Sequence, residues 1–68
     1  ERIARALEVI EANGLITLSD YAYINNLSRT AASLELKEIT ADRTLPIDSM
    51  GSGSHKVWVK RKERMQFP

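Results

Sequence analysis

With 68 residues, no cysteine and one histidine, the chain cannot build a disulfide framework or a Cys/His zinc site. Its core must also be lean, since a chain this short buries only about 60% of the surface its unfolded form exposes. A hydrophobic share of 43% with 28% charged residues is that of an ordinary globular domain, which excludes disordered and fibrous classes.

The formal net charge of +1 is unevenly spread. Residues 1–42 hold four cations against seven carboxylates, net −3, and residues 43–68 hold six against two, net +4. Positive potential therefore gathers at the C-terminal end, a distribution that suits an anionic partner. No apolar run approaches the roughly 18–20 residues that span a bilayer, and the N-terminus lacks the basic-then-apolar pattern of a signal peptide. The expectation is a cytoplasmic protein with no membrane contact. A start at Glu1 rather than methionine implies a piece of a longer protein or a processed form.

From Arg2 to Asn13 the apolar residues Ile3, Ala6, Leu7 and Ile10 recur at helical spacing, and Glu1, Arg5, Glu8 and Glu11 fill the other face. Gly14 supplies the left-handed residue that ends this first helix. Leu15, Ile16, Thr17 and Leu18 are β-prone and too few for a helix, so they read as a short strand or extended link. Ser19 offers an N-cap for a second, short helix that runs to Ile24, with Asp20 in its first turn. Asn25 and Asn26 then supply a turn, because asparagine tolerates the left-handed conformation. Leu27 is expected to be buried. Ser28 is a further N-cap, opening a third helix from Arg29 to about Ala41, with Ala32, Leu36 and Ile39 facing inward and Arg29, Thr30, Ser33 and Lys37 facing elsewhere.

Beyond Asp42 the period becomes that of a strand. Residues 45–49 and 55–60 flank Met50-Gly51-Ser52-Gly53-Ser54, a segment with two glycines, and together they read as a β-hairpin. Val57 and Val59 share one face of the second strand; Lys56, Trp58 and Lys60 share the other. The domain is taken as residues 1–61, with 62–68 as a flexible tail.

The order helix, short strand, helix, tight turn, helix, hairpin, together with the run ITLSDYAYINNLSRTAASLELKEI over residues 16–39, resembles the winged helix-turn-helix domain of bacterial transcription regulators. The likeness covers Leu15 to Ile39 closely and the wing, residues 44–60, in outline. It implies an α+β fold of three helices, a short strand and a C-terminal β-hairpin wing. The roles match: Ala22 is small where two helices cross, Leu27 plugs the turn, Ser28 caps the recognition helix, and Leu36 and Ile39 anchor it. Two positions depart from the pattern. Tyr21 stands where leucine is usual, which requires its hydroxyl to reach water or a partner. Leu34 stands where many relatives carry arginine, so it either touches a thymine methyl or belongs to a protein interface.

The resemblance implies double-stranded DNA as partner and a part in transcriptional regulation. The recognition helix, residues 28–41, enters the major groove with Ser28, Arg29, Thr30, Ser33 and Lys37 as candidate contacts. Ser52, Lys56, Lys60 and Arg61, with Lys62, Gly53 and Ser54, form a basic wing whose glycine-rich tip can approach phosphates. Trp58 is a core or interface residue, or else a stacking platform; His55 is expected in solvent. The competing reading is a winged helix used for protein contact through Leu34 or Trp58. Catalysis has no support: nucleophilic chemistry needs a base beside the nucleophile, the single histidine lies in a turn, and no cofactor or metal site is implied. A symmetric homodimer is expected, through the first helix or the Trp58 face, because a small domain without staples is marginal alone.

Overall fold

The computed structural model describes residues 1–61. Its order is α1 (Arg2–Asn13), α2 (Leu18–Ile24), α3 (Arg29–Ala41), β1 (Ile47–Met50), a single 3₁₀ turn (Gly53–His55) and β2 (Val57–Lys60). The chain is thus α+β, with three helices followed by a two-stranded antiparallel sheet. The tail expected at 62–68, with Lys62, lies outside the described residues. No helix among the described residues is long and apolar enough to cross a membrane.

Local chemistry accounts for each boundary. Gly14 ends α1 at φ 88°, its N–H donating to Ile10 O at 2.6 Å. The start of α2 corrects the expectation. Thr17, not Ser19, is the N-cap: its hydroxyl accepts from Asp20 N at 3.1 Å while the Asp20 carboxylate accepts from Thr17 N, a reciprocal capping box. Leu18 is therefore helical, and the expected four-residue link contracts to one bridging residue, Ile16.

The α2–α3 turn uses its two asparagines differently. Asn25 is the C-cap and is buried, and only Asn26 is left-handed, at φ 56°. Asn26 N donates to Tyr23 O and Leu27 N to Ala22 O, the paired bonds that close a helix on a left-handed residue. Leu27, expected to be buried, is half-buried, because it only laps the edge of the core from this turn. Ser28 does cap α3, accepting from Ala31 N at 3.1 Å.

β1 and β2 pair with Ile47 opposite Lys60 and Met50 opposite Val57. The other edge of β2 is held by Ile16, whose N–H and C=O both bond Trp58 at 2.9 Å. That bridge ties the hairpin to the segment ahead of α2. The strand spans shift slightly from expectation, to 47–50 and 57–60, because residues 53–55 wind into the 3₁₀ turn.

The core is built from all three helices and both strands: Ala6 and Ile10 of α1, Ile16, Tyr21 and Ala22, then Ala32, Leu36 and Ile39 of α3, and Ile47 and Trp58 of the hairpin. Trp58 is only 7% exposed, so it is a core residue and not an interface or stacking platform. The indole carries the largest apolar area of any side chain in the hairpin, and burying it is what fastens the hairpin to the helices. α1 likewise turns its apolar side chains inward and leaves no large one exposed. Of the two surfaces expected for self-association, the Trp58 indole is packed in the core, and α1 keeps Ile3, Leu7 and Val9 half-buried.

Candidate nucleic-acid interface

α3 carries two kinds of surface besides its buried stripe. At about 100° per residue, Arg29, Ser33, Lys37 and Thr40 fall within one quadrant, beside the stripe of Ala32, Leu36 and Ile39. That quadrant faces the hairpin. Between the two lies a groove of about 510 Å³, lined from α3 by those four residues, from the start of α2 by Thr17, Leu18 and Ser19, and from the hairpin by Gly53, Ser54, His55, Lys56, Val57 and Trp58. Its wall holds three permanent cations, one histidine and five hydroxyl side chains, and no carboxylate.

The groove is shaped by specific contacts. Arg29 Nη1 donates to Ser19 Oγ at 2.8 Å, which fixes the guanidinium at the junction of α2 and α3 while leaving it exposed. Gly51, at φ 85°, lets the hairpin loop fold back: a Cβ there would stand 2.8 Å from His55 O. The resulting turn is closed by His55 N to Ser52 O at 3.1 Å and Lys56 N to Gly53 O at 3.3 Å. It is this turn that brings His55 and Lys56 to face α3.

The opposite flank of α3 is a different environment. Glu35 accepts hydrogen bonds from the Tyr21 hydroxyl and from Arg2 Nη1, so one carboxylate joins α1, α2 and α3. This is the partner that the Tyr21 hydroxyl required. Burial of the phenol, its hydrogen bond to Glu35 and that residue's negative charge push the Tyr21 pKa well above the ordinary tyrosine value, with Arg2 pulling weakly the other way. At the end of α3, Asp42 accepts from Thr44 Oγ1 at 2.6 Å and from Thr44 N at 3.0 Å, and these bonds hold its carboxyl below the usual range.

Of the nine candidate contact residues, Arg29, Ser33, Lys37 and Lys56 are brought together in the groove. Ser28 is exposed but its hydroxyl serves as the α3 cap. Thr30 is exposed on the outward side of α3, Ser52 lies on the loop behind the 3₁₀ turn, and Lys60 is exposed at the far end of β2; none of the three lines the groove. Arg61 departs most from its expected role on the wing. Its guanidinium donates to Leu45 O at 3.1 Å, Ile47 O at 3.0 Å and Thr40 O at 3.4 Å, and pairs with Asp48 at 3.4 Å. A guanidinium has five N–H donors, and here three hydrogen bonds go to the carbonyls of Thr40 at the end of α3, Leu45 ahead of β1 and Ile47 at its start. Arg61 is a brace between α3 and the hairpin.

Four polar groove residues, Thr17, Ser19, Thr40 and His55, were absent from the sequence-based set. Thr40 was within reach of the periodicity, since it lies on the same helical line as Arg29 and Ser33. Thr17, Ser19 and His55 were not, because their places depend on the α2 start and the hairpin turn.

Comparison of the chain with protein-family models, with curated proteins and with solved structures finds no match. What can be said of its function rests on the geometry above.

Proposed function

We propose that the chain is a winged helix-turn-helix domain that binds double-stranded DNA, with α3 as the recognition helix, the hairpin as the wing, and transcriptional regulation as the setting. The observation that carries this reading is the carboxylate-free groove between α3 and the hairpin, with Arg29, Lys37 and Lys56 on its walls. Cations on two elements that converge on one channel match a phosphate backbone that runs along it, whereas scattered surface lysines would not. Hydroxyls at Ser19 and Ser33 add donors of the kind that hold phosphate oxygens. Lys60, exposed at the far end of β2, extends the positive surface along the hairpin.

The test is fluorescence anisotropy with mixed-sequence duplexes at low salt. Four phosphate contacts, from Arg29, Lys37, Lys56 and Lys60, give a slope of log K against log salt of about −3 to −4. Absence of binding to any duplex at low salt overturns the reading.

A second reading, a winged helix for protein contact, is favoured by one observation: Tyr23 and Leu34 are large apolar side chains left exposed on α2 and α3. A chemical-shift titration separates the two. Duplex-induced shifts at Arg29, Ser33, Lys37 and Lys56 support DNA binding; unmoved resonances with every duplex support protein contact.

A further inference from the structure

We propose that the outward stripe of α3 reads thymine by its methyl group, with Leu34 as the specificity-determining residue. This deepens the DNA-binding reading and rests on it. The buried side of α3 is set by Ala32, Leu36 and Ile39. At about 100° per residue, the side directly opposite is occupied by Thr30, Leu34 and Ala41, with Lys37 on the margin toward the groove and Glu38 on the other. Leu34 is 59% exposed and is the one large apolar side chain that α3 leaves in water.

The side chains that distinguish bases by paired hydrogen bonds in the major groove are chiefly Arg, Lys, Asn and Gln. α3 has no Asn or Gln, Arg29 is held at Ser19 on the groove side, and Lys37 lines the same groove. The outward stripe thus presents methyl groups: both δ-methyls of Leu34, the γ-methyl of Thr30 and the Ala41 Cβ. Their complement on a base edge is the C5-methyl of thymine, the only methyl in the major groove of unmodified DNA.

The charge pattern selects this occupant over an apolar protein surface. A backbone held along the Arg29–Lys37–Lys56 groove lays neighbouring base edges over Leu34. An apolar protein covering Leu34 has to desolvate Lys37 beside it.

The experiment compares binding of the 68-residue chain to a short A·T-rich duplex and to the same duplex with every thymine replaced by deoxyuridine, which keeps all Watson–Crick hydrogen bonds and removes only the methyl. Both are repeated with Leu34→Ala, an exposed substitution to a better helix former. The expected result is that the uridine duplex binds the wild-type chain about fourfold more weakly per contacted methyl, and that Leu34→Ala shows a clearly smaller difference between the two duplexes. Equal binding of both duplexes by the wild-type chain overturns the inference and leaves DNA binding standing. A thymine preference that persists undiminished in Leu34→Ala overturns the assignment to Leu34. Failure of the wild-type chain to bind either duplex at low salt removes the DNA-binding reading and this inference with it.

Discussion

The two flanks of α3 both carry charged side chains and use them in opposite ways. On the flank toward α1 and α2, Glu35 is tied to Arg2 and to the buried Tyr21 hydroxyl, so its charge is consumed in holding three helices together. On the flank toward the hairpin, the Lys37 and Lys56 ammonium groups make no hydrogen bond or ion pair within the described residues, and the Arg29 guanidinium contacts only one serine hydroxyl. A polar group already satisfied inside the protein has little left for a partner, whereas an exposed cation facing a concavity retains its full field. The contrast assigns stability to the first flank and, under the proposed function, leaves the second for a partner, and substitutions are expected to separate the two.

The largest effect is expected at the base of the stabilising flank. Tyr21 is fully buried, so Tyr21→Ala leaves a cavity and costs about 3–5 kcal/mol. A chain of this length has a total stability of roughly 3–10 kcal/mol, so circular dichroism should show it largely unfolded or melting far below the wild-type chain. A Tyr21→Ala chain that melts like the wild type would break the assignment of that flank to stability.

Arg61 sharpens the comparison, because from its charge alone it belonged with the binding cations. Its donors serve three carbonyls, so Arg61→Gln is expected to cost about 2 kcal/mol while leaving the salt dependence of DNA binding unchanged. A shallower salt slope at an unaltered melting temperature would return Arg61 to the binding surface.

Tyr21→Phe keeps the ring and removes only the bond to Glu35, at a cost of about 1–2 kcal/mol at neutral pH. It also has a pH signature. The folded protein keeps this phenol protonated above the range in which an unfolded tyrosine ionises, near pH 10, so the unfolded state loses its proton first. The stabilisation from this group is therefore complete below about pH 10 and is lost as pH rises beyond it. Denaturant unfolding across that range should show the wild-type chain losing an alkaline increment of stability that Tyr21→Phe never had.

The smallest change in stability is expected on the binding flank. Lys56→Gln should alter stability by less than about 0.5 kcal/mol. The same substitution should make the salt slope of duplex binding shallower by about 0.9, the signature of one lost phosphate contact.

Much of this was legible in the residues themselves. The bounds of α1 and α3, the left-handed Gly14, a left-handed turn within Asn25-Asn26, the Ser28 cap and the inward line of Ala32, Leu36 and Ile39 follow from interactions within four residues of one another, and the structure has them. The start of α2 was misplaced by one choice between neighbours: Thr17 and Ser19 both offer a hydroxyl, and only the reach of Asp20 back to Thr17 N decides between them.

What tertiary structure alone decided is the pairing of distant groups. Nothing local to Glu35 says that Arg2, 33 residues away, and Tyr21 will meet on it, and nothing local to Arg61 says that its charge will be spent on Thr40, Leu45 and Ile47. Trp58, read as a core or interface residue or else a stacking platform, shares its strand face with Lys56 and Lys60, and it is the tertiary packing, with Ile16 bridging β2 to the helices, that puts it in the core. Short-range periodicity determines which residues share a face. Which charges on that face stay free for a partner depends on what the rest of the chain has already satisfied, because a hydrogen bond made inside the fold is unavailable outside it.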